Sequence, residues 1–124
     1  MLRWGVLGAS GVANRRTMPA INESKYGLLH SLFSRSEEKA RELAERHGAE
    51  RYYWNLEEFF DDDEMDAVYI ATPVYLHCEH LLKAAEKGIH VLCEKPMAMN
   101  VEQCQRMIDA CRERGLHLQI CFLF

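Results

Sequence analysis

The sequence predicts a doubly wound α/β fold, a parallel sheet with helices packed on both of its faces. Two observations carry that expectation: short, nearly continuous apolar runs alternate with amphipathic segments, and each strongly periodic segment stops at a glycine. A run such as Ala67-Val68-Tyr69-Ile70-Ala71 is apolar on both faces, the pattern of a strand covered from both sides. Parallel neighbours need crossover connections, and the intervening helices supply them.

Taken in order, strands are expected over 3–7, 28–33, 51–53, 67–71, 89–93 and 116–122. The first periodic helix, 37–47, puts Ala40, Leu43, Ala44 and His47 on one face behind a Ser36 N-cap, and it ends at Gly48. The second, 75–87, repeats Cys78, Leu81, Leu82 and Ala85 at helical spacing and ends at Gly88. The third opens at Asn100, a capping side chain with Gln103 reaching back. It is expected to bury Val101, Cys104, Ile108 and Cys111 before Gly115 stops it. Each of these glycines can take the left-handed turn that returns the chain to the sheet. The acidic run Asp61-Asp62-Asp63-Glu64 reads as a solvated loop rather than a metal site, because nothing near it in sequence completes a ligand set.

Composition sets the outer limits. A chain of 124 residues is read as one domain, 1–124. With 48% hydrophobic and 27% charged residues it is neither a disordered tail nor a disulfide-stapled miniature. No apolar run spans a membrane, and the chain enters Leu2-Arg3-Trp4-Gly5-Val6-Leu7 without a signal-like leader, so a cytoplasmic protein is expected. Cys78, Cys93, Cys104, Cys111 and Cys121 form no C-x-x-C pair and read as reduced core thiols. The net charge of −4 argues against a general nucleic-acid surface. That charge is unevenly spread: through Arg35 the bases Arg3, Arg15, Arg16, Lys25 and Arg35 face the single acid Glu23, a net +4, and the remainder carries −8. A locally positive amino-terminal quarter suits a small anion if the fold brings those residues together.

Between the first strand and a helix lies Gly8-Ala9-Ser10-Gly11-Val12-Ala13. A dinucleotide loop of the Rossmann type needs a glycine for the tight turn, a small residue where backbone meets pyrophosphate, and another where helix packs on strand. Gly8, Ser10 and Ala13 fit those roles, Ser10 departing from glycine, and the following helix would point its free N–H groups at phosphate. A strand-to-helix turn with no ligand would use the same residues. At the end of the second strand, where an acid would bind ribose hydroxyls, stands Ser34-Arg35-Ser36. A hydroxyl and a guanidinium suit a 2′-phosphate, so NADP is expected in preference to NAD; the alternative for Arg35 is an ordinary solvated arginine.

Two further strand ends carry unusual residues: Thr72-Pro73 with His77, and Cys93-Glu94-Lys95-Pro96. With the glycine loop and Gly88-Ile89-His90-Val91-Leu92, these motifs and their spacing resemble the amino-terminal domain of the glucose-fructose oxidoreductase, inositol dehydrogenase and rhizopine-catabolism (Gfo/Idh/MocA) family. The similarity covers essentially the whole chain. It implies an NAD(P)-dependent oxidoreductase acting on a sugar, polyol or cyclic diol, and Arg3-Trp4-Gly5-Val6-Leu7-Gly8-Ala9 with Arg15-Arg16 looks most like members using NADP. Position by position, the resemblance makes Lys95 the catalytic group that contacts the reacting hydroxyl and helps move its proton. Glu94 and Pro96 position it and line the nicotinamide side, and a cis lysyl-prolyl bond is part of the pattern. A cationic ring nearby favours the neutral form of an amine, which suits this chemistry. Otherwise Lys95 is a surface lysine before a turn proline. Thr72 and Pro73 match the loop passing the nicotinamide half. His77, in the next helix's first turn, is a cofactor contact or, alternatively, a cap or packing residue. His77-Cys78-Glu79-His80 is not read as a metal site.

In the family resembled, a second α/β domain supplies the sugar pocket, and its residues are not found here. The apolar ending Phe122-Leu123-Phe124 adds to the expectation of a fragment or truncated product, inactive or nearly so alone. A stand-alone NADP-binding regulatory module without turnover is the alternative, and a glycoside hydrolase that cycles bound NAD is a third. Homo-oligomers are compatible with the resemblance.

Overall fold

The structure is a computed structural model and describes residues 1–121. Six parallel strands form one sheet: β1 (Leu2–Leu7), β2 (Gly27–Phe33), β3 (Arg51–Tyr53), β4 (Ala67–Ile70), β5 (His90–Glu94) and β6 (Leu118–Cys121). Their order is β3-β2-β1-β4-β5-β6, the doubly wound arrangement expected from the alternating pattern. Helices α1 (Met18–Glu23), α2 (Glu37–His47), α3 (Leu56–Phe60), α4 (His77–Glu86) and α5 (Val101–Glu113) connect them. None of the described helices is long and apolar enough to cross a membrane.

Two apolar layers hold the sheet. Val6, Leu29, Leu32 and Tyr69 meet Met18 of α1 and Leu43 of α2 on one face, while Leu7, Val68, Ile70 and Val91 meet Phe59, Leu81 and Met107 on the other. Each such side chain taken from water contributes ~1.5–3 kcal/mol, so both helix layers are needed to keep these strands. Ser36, Asn55 and Asn100 cap α2, α3 and α5 by accepting from the amides of Lys39, Glu58 and Gln103. Gly48, Gly88 and Gly115 all take positive φ where the chain turns back, as the sequence predicts.

Several expectations shift. Val101 is 84% exposed at the start of α5, and Met107, nearly two turns on, is fully buried instead. The second periodic segment opens as a 3-10 turn, Val74–Leu76, before α4. Leu116 donates its amide to Cys111 and closes α5, which delays β6 to Leu118; position 122 of the expected strand lies outside the described residues. Cys104 and Cys121 are half-buried rather than core. The acidic run is not simply a solvated loop, because Asp62 is buried. Helix α3 has no counterpart among the expected elements, although Asn55 with Glu58 three residues on is a legible start signal.

Candidate cofactor-binding site

In this strand order the chain leaves β1 and β4 toward opposite sides, so a crevice opens at their carboxyl ends. Gly8 makes its floor. Its φ is +92°, and a Cβ there would stand 2.6 Å from the carbonyl of Ala71 and 2.8 Å from the amide of Thr72. Only glycine lets the loops after β1 and β4 touch through backbone. Farther along the loop, Ala9 and Ala13 are buried, Val12 is half-buried, and Ser10 and Gly11 are exposed, with no atom within 4 Å of a Gly11 Cβ. The loop therefore packs with its methyl groups and leaves its outer backbone open. A π-helical turn, Ala13–Thr17, leads into α1 and carries Arg15 and Arg16 into solvent.

Charge at this edge is unpaired. Ser34 donates its amide to Tyr53 at 3.0 Å, which holds the end of β2, and Arg35 beyond it is exposed. Among the described residues, Arg15, Arg16, Arg35 and Lys95 take part in no ion pair, whereas Arg3, Arg46, Arg51 and Lys87 each hold a carboxylate. The positive amino-terminal quarter is thereby divided. Arg3 sits at the amino end of β1 and Lys25 just before β2, because parallel strands carry them to the opposite edge from Arg15, Arg16 and Arg35.

Behind the loops lies a set of buried hydrogen bonds. His77, 1% exposed, places Nε2 2.7 Å from the Thr72 carbonyl and Nδ1 3.0 Å from the Pro96 carbonyl. It thus lies behind the Thr72-Pro73 loop and ties it to the Glu94-Lys95-Pro96 loop. Burial lowers the pKa of His80, whose Nδ1 is hydrogen-bonded to the Thr72 hydroxyl at 3.0 Å. Cys93 packs beside His77, and burial pushes its thiol up to about 12, so it is no nucleophile at neutral pH. Tyr69 donates to Glu94 Oε2 at 2.6 Å. The Lys95–Pro96 bond is cis, and both residues are exposed at the end of β5.

A family model described as an oxidoreductase family with an NAD-binding Rossmann fold, Gfo/Idh/MocA, matches residues 2–122. The chain belongs to the Gfo/Idh/MocA oxidoreductase family. Among its relatives, 1,5-anhydro-D-fructose reductase of Ensifer adhaerens is 40% identical over 95% of this chain and 35% of its own length. The scyllo-inositol 2-dehydrogenase (NADP(+)) IolU of Bacillus subtilis is 36% identical over 95% of this chain and 36% of its own. The crystal structure of KijD10, a 3-ketoreductase from Actinomadura kijaniata in complex with NADP, superposes with a TM-score of 0.91 at 34% identity, over 96% of this chain and 38% of that one. The chain thus spans about a third of the length of the relatives it matches.

This Gfo/Idh/MocA chain also holds a cluster that the sequence pattern does not single out. At the amino edge His30, skipped by a bulge in the β1–β2 register, places Nδ1 2.9 Å from Glu50 Oε1 and Nε2 2.8 Å from Asp62 Oδ2. Burial opposes ionisation of Asp62, but hydrogen bonds from Tyr53, the Glu64 amide and His30 outweigh it and hold its carboxyl below the usual range. His30, Asp62 and Glu64 are the one group among the described residues close enough to share a metal ion. Arg51 already lies against both of those carboxylates and Arg3 against Glu64, so the negative charge is neutralised within the cluster. The sequence signal for Tyr69 is a hydroxyl inside an otherwise apolar strand, which must find a partner.

Proposed function

We propose that this chain binds NADP at the carboxyl edge of its sheet and forms the cofactor half of an oxidoreductase acting on a sugar, polyol or cyclic diol. The observation that carries this reading is the open glycine crevice with Arg15, Arg16 and Arg35 exposed at the same sheet edge and in no ion pair among the described residues. Charge-assisted bonds to phosphate are among the strongest such cations can make. In this reading Gly8, Ala9, Ser10, Gly11, Val12 and Ala13 cradle the pyrophosphate, and Ser34 and Arg35 hold the 2′-phosphate. Thr72, Pro73, Glu94 and Pro96 line the nicotinamide half, with His77 bracing them from behind. The NADP-dependent activity named for the Bacillus relative and the NADP complex of KijD10 support the choice of cofactor.

Bound nicotinamide supplies the hydride acceptor or donor. Lys95 Nζ hydrogen-bonds the reacting hydroxyl, takes its proton as the alcohol is oxidised, and returns it in reduction. The rest of the site orients: proximity of this kind is worth ~7–11 kcal/mol of barrier. Free thiols among the cysteines fit a cytoplasmic setting. Fluorescence titration of NADPH against the chain tests the reading. Saturable binding, tighter than that of NADH, is expected, and no binding at high micromolar cofactor contradicts it. Lys95→Met is expected to keep NADPH affinity within a few-fold and to abolish turnover where a substrate pocket is present; unchanged turnover removes Lys95 from the chemistry.

A further inference from the structure

Tyr69 occupies the middle of β4 and is 1% exposed, on the sheet face covered by α1 and α2. A buried phenol needs a hydrogen-bond partner. Its O–H donates to Glu94 Oε2 at 2.6 Å. Cys121 lies opposite Glu94 in the β5–β6 register. Glu94 is the last residue of β5, half-buried, and it directly precedes Lys95. Tyr69 packs in the same apolar cluster as Ala13 of the π-helical turn and Met18 of α1, and its hydroxyl reaches the Glu94-Lys95-Pro96 loop, so it joins the two sides of the crevice beneath its floor. Burial and the Glu94 carboxylate hold its pKa well above the ordinary tyrosine range, so it stays a donor at any working pH. A carboxylate with one oxygen engaged keeps lone pairs for a donor arriving from the open side.

We propose that Tyr69 is a positioning residue of this site: its O–H fixes the Glu94 carboxylate so that Glu94 accepts a hydrogen bond from a ribose hydroxyl or the carboxamide on the nicotinamide half of the cofactor. This rests on the NADP reading above. Tyr69 itself touches no ligand and acts through Glu94. Loss of the phenol oxygen leaves Glu94 free to swing, which weakens contacts to the nicotinamide half and spares those to the adenosine half.

The test compares NADPH with 2′,5′-ADP, which carries the adenosine half and its 2′-phosphate alone, on the wild-type chain, Tyr69→Phe, Glu94→Gln and the double variant. Each single variant is expected to weaken NADPH about tenfold, the loss of one hydrogen bond to a charged group. Affinity for 2′,5′-ADP is expected to stay unchanged, and the double variant to be no weaker than either single one. Equal weakening of both ligands points to a loosened core and overturns the proposal, as does no weakening or an additive loss. Should Tyr69→Phe fail to fold, Glu94→Gln alone decides: weakening of both ligands or of neither overturns it. If the wild-type chain binds neither ligand, the NADP reading fails and this one with it. If it binds both and Tyr69→Phe is silent, only the positioning role fails.

Discussion

At the amino edge of the sheet, Arg3 and Arg51 are enclosed by Glu50, Asp62 and Glu64, and His30 is buried between two of those carboxylates. At the carboxyl edge, Arg15, Arg16, Arg35 and Lys95 stand in solvent with no carboxylate partner among the described residues, in front of buried histidines and a tyrosine that hold the loops. The two edges use similar residues for opposite ends. At the amino edge His30 and Asp62 are buried together, half-exposed arginines pair with the remaining carboxylates, and the cluster fixes the approach of β3, α3 and the loop before β4. Where cations stay unpaired over a rigid backbone cradle, the favourable interaction is still to be made, by an anion from outside.

The contrast can be broken at either edge. Gly8→Ala has the largest expected effect: positive φ and a backbone clash together cost ~3–5 kcal/mol and close the crevice, so thermal unfolding shifts down and NADPH binding disappears. A well-folded variant that binds normally would show that the crevice is not the site. Asp62→Ala strips a buried partner from His30 and is expected to cost ~3 kcal/mol in urea unfolding while NADPH affinity holds. A variant that loses affinity in step would tie the two edges together. Arg35→Ala reverses the pattern, with stability unchanged within ~0.5 kcal/mol and NADPH weakened about tenfold while NADH is unaffected.

The smallest effect is that of pH. The hydrogen bond from His30 holds the Glu50 carboxyl low, and the hydrogen bonds at Asp62 outweigh burial there, so both folded carboxyls lie below their ordinary values of 4.5 and 3.8. Their contribution is complete above the ordinary carboxyl range and is lost as pH falls through the lowered values. Urea midpoints of the wild-type chain are expected to fall between pH 5 and about pH 3, and Asp62→Asn to flatten part of that slope. An unchanged slope would place the acid sensitivity elsewhere.

The fold was legible because it rests on local signals: alternating apolar runs, caps at Ser36 and Asn100, and glycines at three helix ends. The placement of the glycine loop after β1 and of Arg35 after β2 was legible too, since both follow from where the strands end. What escaped was set by distant pairing. Asp62 looked like one more surface acid, and only the packing of α3 brings His30 and Tyr53 to it. Tyr69 and His80 carry no mark of the loops they brace, because their partners lie 25 and 8 residues away. Charge summed along the chain misled for the same reason: strand direction parts Arg3 and Lys25 from the arginines they seem to join.

The division of labour between the two edges is tested most directly by backbone amide NMR of the chain titrated with NADPH. Shifts are expected to gather at Gly8–Ala13, Ser34–Arg35, Thr72 and Glu94–Lys95, with His30, Glu50 and Asp62 unmoved. Shifts centred on His30 and Asp62, or none anywhere at saturating cofactor, would contradict the account.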